Sequence, residues 1–557
     1  MSNKYIIYQL LPRTFSNYCE TRKHNGTIEE NGCGKFNQIT TKALRQIRQL
    51  GATHIWYTGI IRHATQTNYS QYGIPSCSAG IVKGKAGSPY AITDYYDVDP
   101  DLAEDVQNRM QEFDELIKRT HKAGLKAVID FVPNHVAREY KSVMKPAGVV
   151  DLGENDHPEW AFSPLNNFYY LPNEKFSPLF DKGDYQEYPA KVTGNDCFTA
   201  SPSKNDWYET VKLNYGVYYQ GGMEKQFDPI PNTWHQMLQI LLYWTEKGVD
   251  GFRCDMAEMV PVEFWHWVIP QVKKANPHLL FIAEIYNPHL YRSYIHDGEF
   301  DILYDKVGMY DYLRGVTSRD FPAEGITMQW QATDDIHDHI LYFLENHDEQ
   351  RIASGFFCGR GICAEPAVIV MSLLGTNPVM IYAGQELGEL GMDSEGFSGV
   401  DGRTTIFDYW GIRSLQAWAN NGKFDGTLLS DEQKELRDFY QKLLHIATTE
   451  KAIADGKKFD LEYAQKDGFN KKKQYAFVRG FKNEVILVAV NFDAHAADLN
   501  ILIPQETFTY LGINPLLTPV SSIDLLSGKT YQFNMSPNTP IHLEIPAWKG
   551  LVLKMTL

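Results

Sequence analysis

Segments whose apolar side chains recur every three or four residues alternate along this chain with short, almost wholly apolar runs. Thr41–Leu50 places apolar residues at 44, 47 and 50, and Gly51 then leads into the strand-like Thr53–Ile60. Val106–His121 carries Met110, Phe113 and Ile117, and Gly124 opens the run Ala127–Val132. Trp234–Glu246 carries Met237, Ile240, Leu241 and Trp244, followed by Gly248 and Val249–Cys254. Pro261–Lys274 precedes Leu279–Ile285, and Ile340–Leu344 and Pro378–Ala383 are further runs. A helical period followed by a fully apolar strand marks βα units in a parallel sheet, whose strands are covered on both faces. Eight units of roughly 31 residues would close a (β/α)8 TIM barrel in about 250 residues.

One interval is too long for that rhythm: Asp130 and Asp255 lie 125 residues apart. The surplus, residues 136–231, is rich in Pro, Gly, Asn and Tyr and has no clear helical period. It reads as a domain inserted after the third strand, on the face where barrel loops build sites. From 451 the pattern changes to short strand-like runs between turns, namely Gln474–Arg479, Glu484–Asn491, Leu499–Ile503 and Gly550–Met555. That is the pattern of an all-β sandwich. The expected division is a barrel over 1–135 and 232–450, an inserted domain over 136–231 and a C-terminal β-sandwich over 451–557.

Composition narrows the partners. The 557 residues include 53 Lys and Arg against 69 Asp and Glu, a formal charge of −16. Nucleic acid and anionic lipid favour a basic face, so neither is expected. The 33 Tyr and 11 Trp suit a cleft that stacks flat apolar faces. Seven scattered cysteines without a C-x-x-C pair form neither a disulfide framework nor a zinc motif. The first apolar stretch is too short for a signal peptide, and the longest run, Ala367–Leu374, is about a strand long, far short of a membrane span of about 20 residues. The expected location is cytoplasmic, or periplasmic or secreted for a processed mature chain.

Three carboxylates close separate strand-like runs: Asp255 in Gly251-Phe-Arg-Cys-Asp255, Glu284 after Phe281-Ile-Ala, and Asp348 in Glu345-Asn-His-Asp348. Strand side chains alternate, so Arg253 shares a face with Asp255 and Phe252 shares the other with Cys254. With the polar pair toward the barrel axis, the apolar pair packs under the helices. Strand C-termini are where barrel enzymes place their chemistry. A lone carboxylate there reads as a cap or an ion-pair partner. Three at this spacing, with His135 and His347 beside them, point to catalysis.

These residues resemble the α-amylase family of glycoside hydrolases, family 13. Four regions match its motifs in order: Asp130-Phe-Val-Pro-Asn-His135, Gly251-Phe-Arg-Cys-Asp255, Glu284 after its apolar run, and Glu345-Asn-His-Asp348. Supporting matches are Ile55-Trp56, Tyr90-x-x-x-Asp94-Tyr-Tyr, Gly375-Thr-Asn-Pro-Val and Tyr382-Ala-Gly-Gln-Glu386. The resemblance covers about residues 5–410 and extends to the β tail. It implies a retaining double displacement in which Asp255 is the nucleophile and Glu284 the general acid, then the base, with carboxyl groups roughly 5–5.5 Å apart. Asp348 would grip sugar hydroxyls more tightly in the transition state. The resemblance further implies that Arg253 holds Asp255 ionised, His135 and His347 hydrogen-bond the sugar and Tyr90 stacks beneath it. Arg351 would also bind substrate, with Asp94, Asp130 and Asn134 as structural support.

The implied activity is hydrolysis of α-1,4-glucosidic bonds in starch-derived maltooligosaccharides. A 4-α-glucanotransferase or another α-glucosyl transferase would use the same residues. Glu258-Met259 stands where many α-amylases carry a Lys-His pair on the acceptor side, which keeps that alternative open. Gly87 stands where the family's exo-acting α-1,6-glucosidases usually have an Asp, so their grip on the non-reducing end is not expected. A non-catalytic carbohydrate-binding protein on this fold would be expected to have lost one of the three carboxylates. No cofactor is required by this reading. Related enzymes often carry calcium loops, but here Lys35 ends Asn31-Gly-Cys-Gly-Lys35 and Lys212 replaces the acid of an Asp-Leu-Asn motif. Calcium is possible in such loops, but an ammonium offers it no ligand, so both sites are expected to be empty or replaced by internal ion pairs. Asp151–Asp156 and Asp334–Asp338 read as solvated acidic loops.

Overall fold

The computed structural model describes residues 4–391, 400–516 and 518–556; Met1–Asn3, the start of the stretch read for a signal peptide, lie outside the described residues. Eight parallel strands form one sheet: β1 (Ile6–Leu10), β2 (His54–Tyr57), β3 (Lys126–Phe131), β4 (Gly251–Cys254), β5 (Leu280–Ala283), β6 (Ile302–Tyr304), β7 (Ile340–Leu341) and β8 (Val379–Tyr382). Consecutive strands are neighbours, and β1 also pairs with β8, Ile7 against Met380. A parallel bridge between Tyr342 and Val379 closes the ring, with the Tyr342 N–H on the Pro378 carbonyl at 3.0 Å. Hydrophobic periodicity singles out six of these eight strands. Among the described residues no helix precedes β1 to set the rhythm, and β6 is three residues long behind a six-residue helix, Tyr291–His296.

Helices cover the outside of the barrel, among them α1 (Thr41–Leu50), α2 (Arg109–Lys122), α3 (Asn232–Glu246), α4 (Val262–Ala275), α5 (Tyr291–His296), α6 (Asp311–Ser318), α7 (Glu365–Leu373) and α8 (Asp431–Thr449). The apolar run at Ala367–Leu374 falls within the helix Glu365–Leu373 and its cap. α7 is buried on all sides because it lies between the barrel and the C-terminal sheet, as a helix apolar all round must.

Inside the barrel, Ile7, Trp56, Val128, Ile282, Ile302, Tyr304, Leu341 and Met380 form a core of their own. β4 adds no apolar side chain to it; its alternate positions there are Gly251 and Arg253, while Phe252 and Cys254 join the outer core with Trp265 and Phe281. A Cβ on Gly251 would meet the Leu280 carbonyl oxygen at 2.8 Å and Val128 at 3.3 Å, so the strand needs glycine where the interior is full. The alternation thus sets one guanidinium above a packed hydrocarbon floor.

The segment between β3 and α3 is built of short antiparallel pairs: His135–Ala137 with Thr210–Lys212, Tyr170–Leu171 with Ala190–Lys191, and Val217–Tyr218 with Glu224–Lys225. Tyr169, Leu171, Phe176, Tyr185 and Val192 form its core, joined by Ile81 from the excursion after β2. Asp94, fully buried, ties that excursion to the segment. Its carboxylate accepts from the Ser142 hydroxyl at 2.6 Å and the Val143 and Met144 N–H groups at 2.7 and 3.1 Å, and it pairs with Arg62 at 3.4 Å. The acidic loops are bonded rather than simply solvated: Asp156 accepts from the Asn167 and Phe168 N–H groups, and Asp334 and Asp335 pair with Lys458 and Arg292.

The C-terminal part is a six-stranded antiparallel sheet in the order Lys457–Asp460, Gln474–Phe481, Glu484–Asn491, Gly550–Thr556, Pro519–Asp524, Thr530–Asn534, with a second sheet of Ala497–Ile501 and Ile541–Ile545. It is not purely β, since Gln505–Leu511 is helical. Period-two alternation buries both faces of the large sheet: Phe477, Ile486, Val488 and Val552 pack on the barrel side, and Val478, Leu487 and Leu553 pack on the small sheet. Arg479 lies in this junction, 1% exposed, donating to the carbonyls of Leu374, Ala452, Ile453 and Gly456 at 2.5–3.1 Å. Arg479→Ala would strand these acceptors and is expected to destabilise the chain by about 3 kcal/mol, read as a lowered unfolding midpoint; an unchanged midpoint would contradict the assignment.

Candidate active site

The strand register sets the three carboxylates just beyond the barrel rim. The Asp255 N–H still bonds the Phe131 carbonyl of β3 at 2.9 Å, and the Glu284 N–H bonds the Cys254 carbonyl of β4 at 3.1 Å. Asp348 sits in the loop after β7, in a turn where the Asn346 side-chain oxygen accepts from the N–H groups of Asp348 and Glu349 at 2.9 and 3.0 Å. The Arg403 guanidinium holds the Asp348 carbonyl from outside at 2.6 Å.

Arg253 is the centre of the group and has no exposure. One terminal nitrogen donates to Asp255 Oδ1 at 2.7 Å and lies 3.5 Å from Asp130 Oδ1; the other contacts Glu284 Oε1 at 2.8 Å. Its Nε donates to the Tyr304 hydroxyl at 3.2 Å, and its carbon lies 5.0, 5.4 and 5.6 Å from the ring centres of Trp56, Tyr90 and Tyr304. Aromatic faces and carboxylates therefore share one buried cation.

Burial governs the proton affinities. It raises Asp255, against the opposing pull of Arg253, and raises Glu284, with the Asp255 charge adding to the shift. Asp130 is pushed up to about 7 by burial. Asp348 moves the same way, through burial and then the charge of Glu284, although about a third of its side chain (31%) is exposed. Glu284 accepts from the Met256 N–H at 2.8 Å and the Tyr286 hydroxyl at 2.7 Å, donors that favour its ionised form.

Both expected histidines are here and neutral. Burial pulls His135 down to about 3, with Lys212 adding to the shift, and lowers His347 well below the ordinary range. The His347 ring lies between Gln9 Nε2 at 2.8 Å and the Tyr90 hydroxyl at 2.6 Å, 3.2 Å from Asp348, and Tyr90 stacks on it at 5.3 Å. His135 packs against Trp207 at 5.2 Å, beside Asn134, whose amide donates to the Gly194 carbonyl at 2.7 Å. Asp130 also receives the Gly59 N–H at 3.2 Å.

Arg351 is not brought to the cleft. It is 1% exposed, donates to Glu345 Oε2 and Thr404 Oγ1, both at 2.8 Å, and lies 3.9 Å from the Tyr382 ring centre. Its guanidinium is committed to the wall of the barrel, so it corrects the expectation of a substrate contact. Tyr286 and Tyr304 escape sequence reasoning. Tyr304 ends the strand too short to be read, whereas Tyr286 stands two residues after Glu284, and strand alternation alone would put it on the same side.

The geometry can be set beside known proteins. The family model described as the catalytic domain of alpha amylase matches residues 9–438. That match spans more than half of the chain, and the chain belongs to the α-amylase family of glycoside hydrolases. Alpha-amylase 3 of Dictyoglomus thermophilum is 24% identical over 410 residues, covering 66% of this chain and 68% of that protein. Maltase 1 of Drosophila virilis is 23% identical, covering 69% and 58%. An alpha-1,4-glucan:maltose-1-phosphate maltosyltransferase of Cereibacter sphaeroides is 23% identical over 500 residues, covering 88% and 59%. Among solved structures, the maltogenic alpha-amylase AmyB of Thermotoga neapolitana matches at a TM-score of 0.64 and 19% identity over 99% of both chains. AmyP in complex with maltose matches at 0.65 and 16% identity, covering 99% and 96%.

Proposed function

We propose that this protein is a retaining α-glycosidase that hydrolyses α-1,4-glucosidic bonds in maltooligosaccharides. The observation that carries this reading is that Asp255 and Glu284 share the two terminal nitrogens of one buried arginine. Ion pairing favours an ionised Asp255, whose carboxylate attacks the anomeric carbon. Glu284, with its raised proton affinity, protonates the departing glycosidic oxygen, leaving a β-glycosyl ester on Asp255. Glu284, now ionised, takes a proton from water, which displaces Asp255 from the same face the leaving group left, so configuration is retained. Asp348 accepts bonds from sugar hydroxyls, strengthening them as positive charge develops on the ring.

With maltoheptaose, purified protein is expected to release only shorter sugars, and Asp255→Asn to lose at least about 10³-fold in rate. Early sugars longer than the substrate would assign glucosyl transfer instead. Full activity in Asp255→Asn would remove the nucleophile assignment.

Activity requires Asp255 ionised and Glu284 protonated, so the first sets the acid limb of kcat/KM against pH and the second the alkaline limb. Both groups are raised by burial. Both limbs are therefore expected above the ordinary carboxyl range of about 3.9–4.3, and Glu284→Gln is expected to abolish the alkaline limb along with most of the rate. A bell centred at or below that range would contradict the assignment.

No calcium enters this reading at the two loops that end in Lys35 and carry Lys212. The Lys212 ammonium, 1% exposed, donates to Asn134 Oδ1 at 2.8 Å and pairs with Asp196 at 2.6 Å, and Lys35 donates to the Asp101 carbonyl at 2.6 Å. Lys212 thus forms the expected ion pair whereas Lys35 bonds a carbonyl instead, and neither ammonium offers calcium a ligand. Extensive EDTA treatment is expected to leave activity and unfolding midpoint unchanged; stoichiometric calcium retained after dialysis would overturn this.

A further inference from the structure

The chain leaving β5 at Glu284 turns past the short helix Ala257–Met259 that follows the nucleophile. Two backbone N–H groups of this turn, Tyr286 and Asn287, aim at one carboxylate oxygen, Glu258 Oε2, at 3.2 and 3.1 Å. From α5, the Tyr294 hydroxyl reaches the Glu258 carbonyl at 3.3 Å and the Val260 carbonyl at 2.8 Å, fixing the helix that presents this carboxylate. The side chain of Tyr286 reaches the catalytic group, its hydroxyl donating to Glu284 Oε1 at 2.7 Å. Glu258 therefore has one carboxylate oxygen engaged by two backbone N–H groups.

We propose that Glu258 is a positioning residue for the acid: its carboxylate pins the Tyr286–Asn287 backbone, and the pinned Tyr286 hydroxyl tunes how tightly Glu284 holds its proton. This rests on the assignment of Glu284 as acid and base. The groups facing Glu284 are Arg253 and Asp255 with the Met256 N–H from the end of β4, Tyr304 from β6, Asp348 from the loop after β7, His135 from the inserted segment, and Tyr286. Arg253, the Met256 N–H and Tyr286 favour the carboxylate, whereas Asp255 and Asp348 oppose it. Arg253 is locked inside the barrel and Met256 is backbone at its rim. Tyr286 is held from the turn, and its backbone anchor is Glu258.

The test is the alkaline limb of kcat/KM for maltotriose against pH. Tyr286→Phe removes a donor to the ionised form, so the limb is expected to move up by about one pH unit. Glu258→Ala is expected to move it the same way with the tyrosine still present, and the double variant to move it no further than Tyr286→Phe alone. Glu258→Gln keeps an oxygen for the two N–H groups and is expected to keep the wild-type limb. A merely structural Glu258 would change stability and leave the limb in place. An unmoved limb in Tyr286→Phe, or additive shifts in the double variant, would overturn the proposal while the reading of Glu284 stands. Full activity in Glu284→Gln would remove that reading and the proposal with it.

Discussion

One guanidinium beneath four carboxyl groups is the constraint on which the site depends. Arg253 contacts Asp255 and Glu284 and lies near Asp130, while Asp348 feels the same charge from across the cleft. Here the fully buried cation is held by these carboxylates, and they in turn are held by the cation. Burial raises the proton affinities of all four carboxyls together, and the single cation offsets that rise at each of them. Trp56, Tyr90 and Tyr304 add the electron-rich ring faces that a desolvated guanidinium prefers to hydrocarbon.

The barrel exists around this charge as much as beneath it. Its floor is apolar side chains from the other strands, and β4 leaves room by carrying glycine where the rest carry bulk. The register then exports the chemistry: one residue past β4 comes Asp255, one past β5 comes Glu284. The inserted segment completes the wall, its Lys212 ammonium linking the Asn134 end of β3 to the returning strand, His135 opposite Lys212.

Much of this was legible in the chain because the signals are local. Alternation in Gly251–Asp255 places Arg253 and Asp255 together, and the spacing of apolar helices and runs yields most of the barrel. The unread parts have physical reasons. β6 is too short to show a period, and Tyr304 was lost with it. The helix α7 showed no helical period because it is buried on every side and has no polar face to reveal its turn. Arg351 stands near the catalytic loop in sequence, yet its fork is turned inward to Glu345, a direction that one-dimensional spacing does not encode. The hold of Glu258 on the Tyr286–Asn287 backbone is likewise a contact between the ends of two different strands.

The large C-terminal sheet has an evolutionary consequence. Its strands carry two interleaved apolar alphabets, one for the barrel and one for the small sheet. An inherited change on one face is read only by the neighbour that face touches. The two partners can thus diverge through alternate letters of the same strands, while a recombination point at their border would leave both halves with an uncovered surface.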